Sequence, residues 1–312
     1  MRVFLAGGTG VIGPALVRRL VEEGHEVTAI TRKPERAAVL QRLGAEPVVG
    51  DVLDAERTIE AVERAEPEVV IQHLTDLPPD LNPRNLKKGY QRNDRVRGEG
   101  STNLVAAAKG AGARRYVAQN VCFWYAPVGP RVVDEDAPLI SPTKAPFDRS
   151  ARIHREMERR IIDATEFEGL VLRFGFWYGP GTTFAPDGYI AREVRRRRWP
   201  VVGDGAGMWS FVHVDDVVDA TIASLTNGGS GAYNVCDDQP APMRDWVPEY
   251  ARALGAGRPL HVPVWLARLV AGSFAVGQAT QMRGASNEKA KRELGWRPRW
   301  ATWREGFRDG LG

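Results

Sequence analysis

The segment Gly7-Gly8-Thr9-Gly10-Val11-Ile12-Gly13 joins a short apolar run to an amphipathic one. Glycines at this spacing let a pyrophosphate lie against backbone N–H groups. Gly7 permits a tight turn, Gly10 lets the phosphates approach, and Gly13 lets the next helix pack closely on the preceding strand. Thr9, Val11 and Ile12 complete the phosphate-binding set, and a helix opening there adds unpaired N–H groups and a positive dipole end. The residues after the second apolar run choose the nucleotide. An acid there bonds the ribose 2′-hydroxyl of NAD. This chain instead has Thr31-Arg32-Lys33-Pro34, and two cations suit the 2′-phosphate of NADP, which an arginine holds through charge-assisted bonds. NADP is therefore preferred to NAD. Asp51, which follows Gly50, is placed to meet the adenine edge.

These residues need a scaffold that brings strand ends together. Arg2 to Ala6, Glu26 to Ile30, Glu46 to Val49, Glu68 to Gln72, Tyr116 to Ala118 and Gly169 to Arg173 read as strands. Helices are predicted between them over Val11–Glu23, Glu35–Leu43, Arg57–Arg64 and Asn93–Lys109. Strands alternating with helices imply an α/β fold, a Rossmann-type doubly wound parallel sheet with right-handed crossovers. Ligands bind such sheets beyond the carboxyl ends of the strands. From Phe174 onward Pro and Gly become frequent and Trp177, Trp199, Trp209, Trp246 and Trp265 appear. The expected division is a cofactor-binding domain over 1–173 and 204–235, with a smaller substrate-binding region over 174–203 and 236–312.

With these motifs in view the chain resembles the extended short-chain dehydrogenase/reductase family, the NAD(P)-dependent epimerase/dehydratase group. Asn93 with Thr102-Asn103-Leu104, Arg173 with Tyr178-Gly179-Pro180-Gly181, and Pro200 to Gly205 carry the resemblance. Phe211 to Val217, Tyr233-Asn234-Val235 and Glu293 to Pro298 extend it over nearly the whole length. The resemblance implies that Val52, Leu74, Gln119, Phe174 and Phe176 join the cofactor site. It also implies a structural role for His213 and for Arg173, and dimers formed through a four-helix contact. Asp215 and Asp216 read as a helix N-cap and its neighbour.

The resemblance breaks at the family's Ser, Tyr and Lys. There a tyrosine hydroxyl passes a proton to or from the substrate oxygen, and a lysine cation lowers its pKa. The matching stretch is Pro146-Phe147-Asp148-Arg149-Ser150-Ala151-Arg152. One register puts Phe147 and Ala151 at the Tyr and Lys positions, and a shift by one puts Asp148 and Arg152 there. The serine position falls on Asn120 or Val121. Another acid must serve if a carbonyl is reduced. Tyr125 and Tyr178 are the catalytic candidates, with Asn120 as a hydrogen-bond donor to an oxyanion. Cys122 is a weaker candidate, because nothing in the sequence lowers its pKa. His154, alone on a helix, reads as solvated or structural.

Composition bounds the rest. The 312 residues are 43% hydrophobic and 26% charged, with a formal charge of +4, values of an ordinary globular protein. Arg195 to Arg198 reads as the wet face of a helix, and no zinc-finger or helix-turn-helix signature points to nucleic acid. Cys122 and Cys236 fit no metal or redox spacing, and no apolar run is long enough to span a membrane. Met1-Arg2 runs straight into the first strand, so the expectation is a cytoplasmic chain without a signal peptide. The leading reading is an NADP-dependent oxidoreductase acting on a small, apolar or aromatic molecule with an atypical proton donor. A non-redox isomerase, dehydratase or cyclase, and a silent NADP-binding regulator, stand beside it.

Overall fold

Val3 and Leu5 of the first strand lie in one hydrophobic cluster and Phe4 and Ala6 in another. That alternation is the signature of a strand covered on both faces. The same split recurs along the chain: Val69 and Ile71 against Val70, Val117 against Tyr116 and Ala118, Leu170 and Leu172 against Val171. The structure, a computed structural model, describes residues 1–77, 83–140 and 148–312, with the backbone alone over 83–88.

Seven described strands form one parallel sheet: β1 (Arg2–Ala6), β2 (Glu26–Thr31), β3 (Glu46–Val49), β4 (Val69–Gln72), β5 (Arg115–Val121), β6 (Glu168–Phe174) and β7 (Gly231–Val235). Their order is β3-β2-β1-β4-β5-β6-β7, so the chain reverses direction across the sheet between β1 and β4. The predicted Rossmann-type fold is what forms. Helices α1 (Gly13–Glu22) and α2 (Pro34–Arg42) follow β1 and β2, and α3 (Ala55–Ala65) follows β3. Next, α4 (Pro83–Arg95) continues through a π-helical turn, Val96–Gly100, into α5 (Ser101–Gly110). Beyond β5 come α6 (Asp148–Ile162), α7 (Tyr189–Arg195), α8 (Val214–Ala223), α9 (Met243–Ala253), α10 (Val264–Thr280) and α11 (Trp303–Asp309). Leu16, Val17 and Leu20 of α1 and Val217 and Val218 of α8 cover one face; α3, α5 and α6 cover the other with Val62, Leu104 and Met157. Each such apolar side chain, fully buried, contributes about 1.5–3 kcal/mol.

A third cluster lies beyond the sheet. Tyr178, Phe184, Trp209, Phe211, Trp246, Tyr250, Trp303 and Phe307 pack together from the chain after β6 and from α9 and α11. The short strands Phe176–Tyr178 and Phe211–His213 pair beneath it. Among the described residues no helix is long and apolar enough to cross a membrane.

Three local expectations change. The helix predicted from Asn93 begins at Pro83. The N-cap of α8 is His213 rather than Asp215: its Nδ1 accepts from the Asp215 N–H at 3.1 Å, and its Nε2 pairs with the Gly310 carbonyl at 2.9 Å. Asp216 instead accepts from the backbone N–H groups of Arg299 and Trp300 at 2.6 and 3.2 Å, tying the C-terminal segment to the sheet. The arginine run ends α7 rather than forming a helix face, with Arg197 in the left-handed region at φ 57°.

Gly169 of β6 lies directly against the end of α6. A Cβ there would lie 1.9 Å from the Ile161 carbonyl oxygen. Gly169→Ala should lower stability by about 1–3 kcal/mol, the usual penalty of overpacking, read as a lower denaturant midpoint.

Candidate active site

The switch in strand order brings the ends of β1 and β4 together, and the glycine loop sits at that junction. Gly7 has φ +115°, and a Cβ on it would lie 2.3 Å from the His73 carbonyl oxygen. A Cβ on Gly13 would lie 2.3 Å from the carbonyl carbon of Gly8. Both positions therefore require glycine. Gly10 differs, since a Cβ there would approach only the Gly7 carbonyl oxygen, at 3.3 Å, and Gly10 is exposed. Thr9 is half-buried, Val11 is 51% exposed and Ile12 is buried in the core. Helix α1 starts without a side-chain cap and without an acid in its first turn. The Gly13 N–H turns back to the Gly10 carbonyl at 3.2 Å and Pro14 has no N–H, so what the cradle offers a pyrophosphate is the glycine turn and the positive dipole end of α1 with no acid beside it.

Arg32, Lys33, Asp51, Val52 and Leu74 gather at the ends of β2, β3 and β4. Arg32, with 47% of its side chain exposed, places Nη1 3.4 Å from Asp76 Oδ2, and Arg92 Nε lies 3.8 Å from the same oxygen. Lys33 is exposed beside it, at the start of α2. Asp51 closes its own turn by accepting from the Leu53 N–H at 3.0 Å. Val52 is buried and Leu74 packs on the same cluster; Asn103 Nδ2 holds the Val52 carbonyl at 2.9 Å.

At the ends of β5, β6 and β7 the structure holds a buried polar relay. Arg173 donates to both oxygens of Glu158, at 2.9 and 2.6 Å. Its Nη1 also donates to Tyr125 Oη at 2.9 Å and to the Glu135 carbonyl at 3.1 Å. Tyr125 donates to Asn234 Oδ1 at 2.7 Å. On the other side Asn120 Nδ2 donates to Glu158 Oε1 at 2.6 Å, and Asn120 Oδ1 meets His154 Nδ1. All six side chains are buried. Sequence reading singled out Tyr125 and Asn120 and treated His154 as solvated or structural. The structure buries His154 in the relay and adds Glu158, which no motif marked.

The groups considered as acids are poorly disposed to give a proton. Burial raises the Tyr125 pKa, and its hydroxyl proton is already committed to Asn234. Tyr178 is fully buried, its hydroxyl has no partner among the described residues, and burial raises its pKa too. A Cβ on Gly306 of α11 would lie 1.9 Å from that oxygen, so Tyr178 points into the third cluster. Burial pushes the Cys122 thiol up to about 12. His154 is held well below the usual imidazole range by desolvation and then by the Arg97 charge, so its ring is neutral. Asp237 is raised by burial, but its free Oδ2 is sealed from contact. Ala151, in the first turn of α6, is a buried methyl group where one register places a lysine. Phe147 lies outside the described residues.

Aromatic rings line the neighbouring wall. Phe123 stacks on Phe176 at 4.7 Å, and Phe176 on Trp209 at 4.1 Å. Trp124 packs against His154 at 5.5 Å and against Phe274 of α10 at 5.7 Å. Phe176 is half-buried there, whereas Phe174 is fully buried with its ring 5.7 Å from His73. Gln119 is buried, its carbonyl accepting from Arg97 Nη1 at 3.0 Å and its Oε1 without a described partner.

Two substitutions separate packing from proton transfer. Tyr178→Phe removes a buried hydroxyl that has no partner, so stability should hold or rise by about 1 kcal/mol, with turnover unchanged. Arg173→Met leaves Glu158 buried and unpaired and should cost about 3–5 kcal/mol. Chemical unfolding with parallel kinetics checks both; a hundredfold loss of turnover in stable Tyr178→Phe would make that hydroxyl catalytic.

The geometry agrees with what the chain is similar to. Residues 3–236 match the model of the NAD dependent epimerase/dehydratase family. A 3-diazoavenalumate denitrifying reductase from Streptomyces is 44% identical, over 98% of this chain and 99% of the relative. A 2-alkyl-3-oxoalkanoate reductase from Stenotrophomonas maltophilia is 26% identical, over 83% and 77%. Among solved structures, UDP-glucose 4-epimerase from Thermotoga maritima, with UDP-glucose, superposes with a TM-score of 0.77 at 20% identity, covering 100% of this chain and 97% of that one. The dTDP-glucose 4,6-dehydratase DesIV from Streptomyces venezuelae, with NAD bound, gives 0.75 at 21%, covering 100% and 96%. These structural likenesses speak to the fold alone. By its family match, its sheet and its glycine cradle, the chain belongs to the NAD-dependent epimerase/dehydratase family and is an NAD(P)-dependent enzyme of the extended short-chain dehydrogenase/reductase type.

Proposed function

We propose that the protein is an NADPH-dependent reductase that removes the diazo group from an aromatic compound as dinitrogen. The observation that carries this reading is that, among the described residues, no group considered as an acid is poised to give a proton. Tyr125, Tyr178, Cys122, His154 and Asp237 are each buried, engaged or in the wrong protonation state, and Ala151 leaves no lysine to lower a tyrosine pKa. Carbonyl reduction needs such a donor, because the oxygen that receives electrons must also receive a proton. An aryl diazonium carbon does not. The 44% identical relative, whose name describes reductive loss of nitrogen from a diazo compound, supports the same chemistry.

Gly7, Thr9, Gly10, Val11, Ile12 and Gly13 would hold the pyrophosphate, Asp51, Val52 and Leu74 the adenine, and Arg32 with Lys33 the 2′-phosphate. Gln119, Phe174 and Phe176 would border the nicotinamide end, Phe174 through its backbone. Bound there, the reduced nicotinamide supplies a hydride, and the sum Ar–N₂⁺ + H⁻ → Ar–H + N₂ consumes no proton. The chain's own part is to orient and to exclude water. Phe123, Trp124, Phe176 and Phe274 offer flat apolar faces to a ring. Asn120, held between Glu158 and His154, has one amide hydrogen committed to Glu158 and orders the floor of the site.

Incubation with a water-soluble aryl diazonium acid and NADPH should release one dinitrogen per cofactor oxidised. Deuterium at the transferring carbon of the cofactor should appear in the aromatic product. Deuterium incorporated only from solvent, or faster reduction of a matched aryl ketone, would overturn the reading. Dinitrogen release with Ar–OH as the product and no cofactor oxidised, Ar–N₂⁺ + H₂O → Ar–OH + N₂ + H⁺, would overturn the reading and mark a non-redox enzyme.

The cofactor choice is tested separately. Arg32→Ala should weaken NADP by about 1.5–3 kcal/mol and leave NAD little changed in calorimetric titration. Equal losses would remove the 2′-phosphate from that site. Gly10→Val should fold normally, given the open space around Gly10, yet block both nucleotides.

A further inference from the structure

Asp76 joins two cations that come from different elements, at the edge of the nucleotide site. Arg32 directly follows β2 and Asp76 follows β4, with β1 between those strands in the sheet. Their contact therefore crosses the carboxyl end of β1, where the glycine loop begins. Arg92 enters from α4. Arg32 Nη1 lies 3.4 Å from Asp76 Oδ2, and Arg92 Nε lies 3.8 Å from the same oxygen. Among the described residues neither arginine pairs with another acid. The loop that carries Asp76 is fixed through its backbone, since the Asp76 N–H donates to Oδ1 of the buried Asn93 at 3.2 Å. The helical run that carries Arg92 and Asn93 continues into α5, where Asn103 Nδ2 holds the Val52 carbonyl at 2.9 Å. It thus borders the segment assigned to the adenine as well as Arg32.

The bridge is built to be exchanged. Both contacts are longer than the about 2.7–2.9 Å of a charge-assisted hydrogen bond. The Arg32 and Arg92 side chains are 47% and 59% exposed, and ion pairs this long and this wet contribute little to stability. An anion with more charge and more acceptor atoms can therefore take both arginines at small cost. A phosphate monoester brings about two negative charges and three terminal oxygens near neutral pH. Asp76 offers one charge and one shared oxygen, and its charge repels a phosphate that approaches the same pair.

We infer that Arg92 joins Arg32 as a ligand of the 2′-phosphate of NADP, and that Asp76 is the internal anion which this phosphate replaces between them. Two guanidinium groups that share one carboxylate oxygen are close enough to share one phosphate, each through its own N–H groups. NAD carries a hydroxyl at that position and leaves the bridge as it stands. Asp76 thereby narrows the margin between the two nucleotides, because only NADP has to displace it. The inference rests on the NADP reading given above and deepens it.

Calorimetric titration of the full chain with NADP⁺ and with NAD⁺, which differ only in the 2′-phosphate, tests both halves. Arg92→Ala should weaken NADP⁺ about tenfold and leave NAD⁺ within about twofold. Asp76→Asn keeps the shape and removes the charge, so it should tighten NADP⁺ about threefold or more and again leave NAD⁺ nearly unchanged. Loss of NADP⁺ affinity in Arg32→Ala but not in Arg92→Ala, or equal losses of both nucleotides in Arg92→Ala, would overturn the role of Arg92 and leave the NADP reading standing. An Asp76→Asn variant that binds NADP⁺ no better than the wild type, or worse, would overturn the exchange. A wild type that binds NAD⁺ as tightly as NADP⁺, with Arg32→Ala affecting both alike, would remove the NADP reading and this inference with it.

Discussion

Arg173 and Glu158 carry opposite charges into a space that water barely reaches, and the site is arranged around their meeting. Two charges taken out of water lose more hydration than a poor contact returns. They are tolerated here because each remaining hydrogen-bonding atom is used: Glu158 takes Asn120, and Arg173 takes Tyr125 and the Glu135 carbonyl. The pair also links elements distant in sequence. Glu158 comes from α6, Arg173 from β6, Asn120 from β5, and Asn234, reached through Tyr125, from β7. Breaking it would free the ends of three strands at once, on the side of the sheet where the ligand must lie.

The same pair explains why the polar side chains at these strand ends are not free reagents. Tyr125 and one amide hydrogen of Asn120 are committed to satisfying a buried charge, and a hydroxyl locked between a guanidinium and an amide has no proton to lend. Their chemistry belongs to the scaffold. What is left beside the relay is a wall of flat apolar rings, Phe123, Phe176 and Trp209 among them. Such a wall suits a reaction in which the protein places a ring and leaves the proton balance to the substrate.

Much of the fold was legible because its signals are local. The glycine loop, the strand before it and the helix after it are contiguous in sequence, and two of the glycines answer to a steric demand: at Gly7 the His73 carbonyl, at Gly13 the Gly8 backbone. Strands buried on both faces read as short apolar runs, and most were placed within a residue or two. The start of α4 was not, because the π-helical turn at Val96–Gly100 inserts an extra residue into the helical register. The apolar stripe before it then falls out of phase with the one after it. The relay was not legible either. Its members lie at 120, 125, 154, 158, 173 and 234, and nothing local marks Glu158 as the partner of Arg173. His213 likewise takes the N-cap position that the neighbouring aspartates suggested, since Asp216 is drawn away by the C-terminal segment.

A final constraint bears on why a lysine is absent at Ala151. Arg97, on the π-helical turn, is fully buried, and burial brings its pKa down to about 10. Its charge is felt across the site, where after desolvation it is the next influence holding His154 below the usual imidazole range and His73 down to about 3. Asp94 tempers Arg97 but is itself buried and accepts from Ser150 at 2.8 Å. A lysine at 151 would add a further desolvated cation to Arg97 and Arg173, on the helix face that carries His154, with Glu158 already paired with Arg173. Like charges in a poorly solvated space repel over this range. The methyl group of Ala151 and the charge of Arg97 are therefore linked choices: once the buried cation comes from the long helix after β4, the helix after β5 is better left apolar, and a tyrosine there would gain no partner to lower its pKa.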